Sequence, residues 1–157
     1  MPLRVLLTGA SGQLGHELIK SCPEHVDLVA CDRSRLDLSD ADACKTIVEI
    51  HRPDWVLNAG AYTAVDRAEQ EPRLVNVVNA DGPAALAVAL ATNGGRMLQL
   101  STDFVFDGQQ GIPYQPQQPV APLGVYGASK AAGEVQVQKA LGDRAYLLRT
   151  SWVYGPV

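Results

Sequence analysis

The chain has 157 residues, enough for one domain with an ordinary hydrophobic core. It is 46% apolar and 19% charged, as globular proteins are, and its net charge of −4 argues against nucleic acid, whose phosphates ask for a basic face. No run of about 18 apolar residues marks a membrane partner, and the N-terminus lacks a signal-peptide pattern, so the expected setting is cytoplasmic.

In chain order, Leu3–Leu7 is a short apolar run stopped by Thr8-Gly9, which suits a buried parallel strand. Gln13–Cys22 carries Leu14, Leu18 and Ile19 at helical spacing and stops before Pro23. Val26–Cys31 is a second strand. Ser39-Asp40 reads as the N-cap of a helix running to about His51, closed by Pro53. Trp55–Asn58 is a third strand, followed by a short helix over Val65–Glu69 and a longer one over Leu74–Thr92 that Asn93-Gly94-Gly95 ends. Arg96–Ser101 is a fourth strand and Gly108–Gly124 a loop rich in Gln, Pro and Gly. Tyr126–Leu141 is helical in composition, and Ala145–Arg149 is a fifth strand. Strand–helix–strand units of this length predict an α/β fold, a Rossmann-type doubly wound parallel sheet with helices on both faces and strand order 3-2-1-4-5.

Cys22, Cys31 and Cys44 are odd in number and show no CxxC spacing. They read as reduced, mostly buried thiols rather than a disulfide framework or metal ligands. His16, His25 and His51 are scattered, and no metal site is predicted.

The first strand runs directly into Gly9-Ala10-Ser11-Gly12-Gln13-Leu14-Gly15, which opens a helix. In this GxxGxxG loop Gly9 allows a tight turn, Gly12 lets backbone approach a pyrophosphate, and Gly15 lets the helix lie close to the sheet. Ser11, Gln13 and Leu14 stand beside the free N–H groups and the positive dipole end of that helix. Dinucleotide binding is the expectation, and residues 1–157 read as one NAD(P)-binding domain. Asp32, at the end of the second strand, can accept hydrogen bonds from both ribose hydroxyls, which favours NADH; Arg33 can pair with a 2′-phosphate, which favours NADPH. Asp37 and Leu38 flank the expected adenine position. Ala59, Gly60 and Ala61, after the third strand, leave room for the cofactor to cross the sheet edge.

Tyr126-Gly127-Ala128-Ser129-Lys130 is a YxxxK spacing, which puts Tyr126 and Lys130 on one helix face. A free tyrosine ionises near about 10. A neighbouring ammonium is expected to lower that value, so that the phenol can give a proton to a carbonyl oxygen as hydride arrives at its carbon. Lys130 can also hold the nicotinamide ribose. Ser101-Thr102-Asp103 ends the fourth strand, where open parallel sheets keep their active sites, and Thr102 is preferred over Ser101 as the hydroxyl facing a substrate carbonyl.

Together these motifs resemble the extended short-chain dehydrogenase/reductases. The segments NAGAYTAVDRAE (58–69), VNADGP (78–83), LSTDFVFDG (100–108), VYGASK (125–130) and RTSWVYG (149–155) closely resemble the dTDP-4-dehydrorhamnose reductases within them. The resemblance implies NADPH- or NADH-dependent reduction of dTDP-4-dehydro-L-rhamnose to dTDP-L-rhamnose, with Thr102, Tyr126 and Lys130 catalytic. It adds Tyr62 to the cofactor wall and Val65, Asp103, Phe104 and Trp152 to the dTDP-sugar side. Read alone, Trp152 serves equally as a flat apolar face for a deoxysugar or as a core tryptophan. Phe104 stands where many members have tyrosine, and Gly60 where alanine is more usual. The family's chains continue beyond this length, so the C-terminal, nucleotide-sugar-binding part of the fold is expected to be missing here. With it missing, Leu147, Val153 and Tyr154 are expected to lack partners, favouring association into a homo-oligomer. A non-catalytic NAD(P)-binding regulatory module and a nucleotide-sugar epimerase or dehydratase are the competing readings; Asp103 beside Thr102 keeps the dehydratase open.

Overall fold

The computed structural model describes residues 2–155; Met1, Pro156 and Val157, which the predicted 1–157 domain includes, lie outside the described residues. Strands β1 (Leu3–Thr8), β2 (Val26–Cys31), β3 (Trp55–Asn58), β4 (Arg96–Thr102) and β5 (Ala145–Thr150) form one parallel sheet. Its order is β2-β1-β3-β4-β5, not the expected 3-2-1-4-5. The reason lies in residues 32–40 after β2, where an outer strand was required. Asp32 accepts from the N–H groups of Ser34 and Arg35, Asp37 from that of Ser39, and Asp40 from those of Asp42 and Ala43. Three aspartates in succession close turns and a helix cap, so this stretch cannot run extended. The chain enters α2 (Ala41–His51) at once and returns to the free edge of β1. The direction of winding therefore reverses between β1 and β3.

Right-handed crossovers then put α1 (Gln13–Lys20) on one face and the helices leading to β3, β4 and β5 on the other. That second face is the core. Leu6, Val56 and Met97 of the sheet pack with Cys44 and Val48 of α2, Leu86 and Leu90 of α5 (Gly82–Asn93), and Val137 and Leu141 of α6 (Val125–Leu141). The thiols of Cys31 and Cys44 are free and buried here, and burial pushes Cys44 up to about 12.

The long helix expected over Leu74–Thr92 begins earlier and is not regular. A short α3 (Val65–Ala68) precedes it, and α4 (Pro72–Asn76) runs through a π-helical turn, Val77–Asp81, into α5. Pro83 has no N–H to give the carbonyl of Asn79, four residues back, so the regular ladder cannot continue there. That carbonyl lies against Gly133 of α6, where a side chain would collide with it. Pro72–Asn93 as a whole is long and apolar enough to cross a membrane, but Val75, Ala80, Leu86 and Leu90 are fully buried in the domain.

β5 is an edge strand, and its exposed apolar residues are Tyr146 and Leu148. Leu147, expected to lack partners, instead packs against the core, because alternate residues of a strand face opposite sides. Val153 and Tyr154 are exposed as expected.

Candidate active site

A cleft of about 1130 Å³ opens at the carboxyl ends of the strands, over the point where β1 and β3 wind apart. Open parallel sheets bind ligands at such a point. Its floor begins at the glycine loop. Gly9 has φ of 67°, and a Cβ there would sit 2.6 Å from the Cα of Gly60. The two loops therefore touch backbone to backbone, and this contact needs a glycine. Gly12 is the N-cap of α1 and offers no side chain to the helix's first N–H groups, nor does an acidic residue stand in the first turn. Ser11, Gly12, Gln13 and Leu14 face the cleft. Gly15 does not; it is buried against the carbonyl of Gly9 and keeps the helix close to the loop.

Opposite this loop lie Ala59, Gly60, Ala61 and Tyr62, whose hydroxyl donates to Glu71 at 2.6 Å. Arg33, Asp37 and Leu38 form the far wall. Asp32 is not brought into it. One of its carboxylate oxygens accepts from both N–H and hydroxyl of Ser34, at 3.0 and 2.7 Å, and these bonds hold the acid below its usual range. Asp37 uses one oxygen on Ser39 and turns the other to Arg33 at 3.4 Å.

Val65, Thr102, Asp103, Phe104, Tyr126, Lys130 and Trp152 complete the other end. Thr102 donates to Asp103 at 3.1 Å, and the ring of Phe104 meets that of Tyr126 edge-on at 5.7 Å. Trp152 is 90% exposed at the mouth of the cleft and is no core residue. Lys130 is buried on α6, its ammonium donating to the carbonyl of Leu100 at 2.7 Å. Burial lowers it from 10.5 to about 8, against an opposing pull from Glu134. Tyr126 does not follow expectation: burial raises it, the nearby hydroxyl of Thr102 lowers it less, and the charge of Asp103 raises it further. The lysine does not reduce it because its ammonium is turned to Leu100.

Residues 3–157 match the RmlD substrate binding domain family. The chain belongs to that family. A dTDP-4-dehydrorhamnose reductase of Streptomyces griseus is 46% identical over 97% of this chain and 50% of its own, and one from Mycobacterium tuberculosis is 44% identical over 96% and 50%. The chain thus spans about half the length of the curated relatives it matches. A crystal structure of the Bacillus anthracis dTDP-4-dehydrorhamnose reductase in complex with NADP superposes with a TM-score of 0.95 at 38% identity, covering 100% of this chain and 56% of that one. The UDP-glucose 4-epimerase of Thermus thermophilus in complex with NAD gives 0.83 at 25%, covering 98% and 56%.

The RmlD-family cleft is held in shape by groups around it that its motifs do not include. Asn79, in the π-helical turn, accepts from the N–H of Tyr62 at 2.8 Å and donates to its carbonyl and to the hydroxyl of Ser129. It ties the loop after β3 to the helix of Tyr126; only its place in the VNADGP segment hinted at this. Glu69 reaches from the end of α3 to accept from the N–H of Val125 at 2.7 Å, capping α6. Gly127 lets α6 rest on the carbonyl of Phe104. Ser101 lines the cleft with a buried hydroxyl that has no partner among the described residues. The unpartnered hydroxyl, the side-chain-free cap of α1 and the glycine contact that only bare backbone permits all fit an extended ligand carrying phosphates.

The lysine yields a pH prediction. Its value in the folded protein lies below that of the unfolded chain, so between about pH 8 and 10.5 the unfolded state binds more protons and stability rises with pH. Tyr126, raised in the fold, acts oppositely only above its ordinary value of 10. Cys31 and Cys44, raised above 9.0 by burial, pull the other way in both proteins, so the lysine shows as a difference: from pH 8 to 10 the urea midpoint of the native sequence is expected to rise relative to that of Lys130→Met, and equal slopes in the two would show that Lys130 titrates normally.

Proposed function

We propose that this chain is the cofactor-binding and catalytic half of an NAD(P)H-dependent dTDP-4-dehydrorhamnose reductase, working in the cytoplasm on a dTDP-sugar. The observation that carries the reading is the meeting of the glycine loop with Thr102, Tyr126 and Lys130 in one cleft. Gly9, Gly12, Gln13 and Leu14 would hold the pyrophosphate, Arg33, Asp37 and Leu38 the adenosine end, and Lys130 the nicotinamide ribose. When bound, the nicotinamide supplies the hydride for the C4 carbonyl carbon. Tyr126 gives its phenolic proton to the carbonyl oxygen, so the ketone becomes an alcohol. A tyrosine held above its usual value stays protonated at neutral pH, which suits a proton donor. Thr102 lines the cleft beside Tyr126 and would turn its hydroxyl to the same carbonyl oxygen. Trp152 offers its ring to the deoxysugar.

The 157-residue chain is expected to bind NADPH in calorimetry yet to leave dTDP-4-dehydro-L-rhamnose unreduced. Turnover should require protein of the relatives' full length. Absence of NADPH binding, or full-length protein that binds NADPH and reduces nothing, would sink the reading. Interconversion of a UDP- or dTDP-hexose without net reduction would instead favour the epimerase that the Thermus likeness keeps in view.

Cofactor choice has its own test. Asp32 is occupied by its own turn while Arg33, largely exposed, lines the cleft. Arg33→Ala should weaken NADPH by about tenfold, as loss of one charged hydrogen bond does, and NADH little. Equal losses for both would show that Arg33 does not meet the 2′-phosphate.

A further inference from the structure

Beneath the cleft a line of hydrogen bonds crosses the sheet from the glycine cradle to the lysine. The N–H of Gly60 donates to the hydroxyl of Thr8 at 3.1 Å, and that hydroxyl donates to Oδ1 of Asn58. Nδ2 of Asn58 donates to Oε1 of Gln99 at 2.7 Å, and Nε2 of Gln99 donates to the carbonyl of Leu100 at 3.1 Å. The ammonium of Lys130 donates to the same carbonyl at 2.7 Å. Thr8, Asn58 and Gln99 are each 1% exposed. The line has one direction: turning over either amide would set donor against donor or acceptor against acceptor, so Gln99 is compelled to aim its N–H at Leu100.

We propose that Gln99 is a positioning residue for Lys130, keeping the Leu100 carbonyl satisfied so that the lysine ammonium can leave it for a ligand in the cleft. A carbonyl oxygen accepts two hydrogen bonds, and a buried one left with none is costly. With Gln99 present, departure of the lysine leaves the carbonyl one donor. With an apolar residue there, the same departure strips it, and the lysine is pinned. A glutamine in the middle of Met97-Leu98-Gln99-Leu100 has no place in an ordinary strand core, and its two bonds run to Asn58 and to this carbonyl alone.

The proposal rests on the reading that Lys130 meets the cofactor, and the experiment separates the two. NADPH affinity is measured calorimetrically for the native protein, Gln99→Met, Lys130→Met and the double variant. Lys130→Met is expected to weaken binding about tenfold and Gln99→Met by about fivefold, the size of a single lost hydrogen bond. The double variant should be no weaker than Lys130→Met, since a residue that acts through the lysine has nothing left to act on. Losses that multiply would overturn the proposal and leave the reading of Lys130 intact. Native affinity in Lys130→Met would overturn that reading and the proposal with it. A second readout is the pH midpoint for acetylation of Lys130, followed by mass spectrometry. The charged and titratable groups around the lysine are Glu134 and Tyr126 on α6, Asp103 after β4 and, paired to Glu134, Arg149 on β5. All are untouched by Gln99→Met, so a raised midpoint in that variant supports a lysine held harder by Leu100, and an unchanged one opposes it. Should Gln99→Met fail to fold, Gln99→Leu removes the same donor with a shorter apolar side chain; native NADPH affinity in that variant would overturn the proposal.

Discussion

Tyr126→Phe in full-length protein is expected to cut turnover of the dTDP-4-keto sugar by about 10²-fold or more while leaving NADPH affinity nearly unchanged, the scale of a lost general acid. The substitution removes one oxygen. The ring remains, and with it the edge-on contact to Phe104 at 5.7 Å and the packing of α6 on the Phe104 carbonyl through Gly127. Lys130 keeps its bond to Leu100, and Ser129 still donates to the backbone carbonyl of residue 126. Binding and fold are therefore insulated from the change, and only the proton source is lost. Steady-state kinetics with direct NADPH titration decide it: native turnover in the variant would rule out Tyr126 as the acid, and a large loss of NADPH affinity would mean that the hydroxyl serves the cofactor instead.

The parts of this structure legible in the sequence are those set by local rules. Short apolar runs located the five strands, and Asp40 caps the start of its helix as read. The cleft wall was largely legible too, since a glycine loop and a YxxxK pair carry their chemistry in their spacing. What escaped were consequences of how elements meet. The strand order turned on Asp32, Asp37 and Asp40 making successive local turns, each unremarkable by itself. For the same reason Asp32, placed by position beside a ribose, spends its carboxylate on Ser34 and Arg35. The π-helical turn needed Pro83, Asn79 and Gly133 to be seen together, and Gly133 lies on another helix. The sign of the Tyr126 shift depended on where Lys130 points, and spacing along a helix says which face a side chain shares but not which acceptor takes its ammonium.

The loop after β4 shows the same dependence and carries the second large expectation. Residues 108–124 are rich in Gln, Pro and Gly, yet they are tied down. Phe106 stacks on Tyr114 at 4.3 Å, Arg149 lies 5.0 Å over the Phe106 ring, and the same guanidinium donates to the carbonyl of Pro116 at 3.0 Å. Arg149 itself is held by Glu134 through two hydrogen bonds of 2.9 and 2.6 Å. The pair is largely out of solvent, with Arg149 20% and Glu134 5% exposed. Glu134→Leu leaves a guanidinium without its counter-charge, a loss that costs about 3 kcal/mol or more in such settings. Against the few kcal/mol by which domains are stable this is a large share, and it should lower the melting temperature by about 10 °C. Removing both charges should cost much less, because desolvating an ion pair offsets most of its attraction. Calorimetric melting of Glu134→Leu, Arg149→Met and the double variant tests this. A double variant as unstable as the sum of the singles would show that the two residues act separately. Recovery in the double variant, with the loop then cleaved faster by protease, would assign the pair its structural work: Glu134 fixes Arg149 to the helix that bears Tyr126 and Lys130, and Arg149 carries the loop to the edge of the cleft.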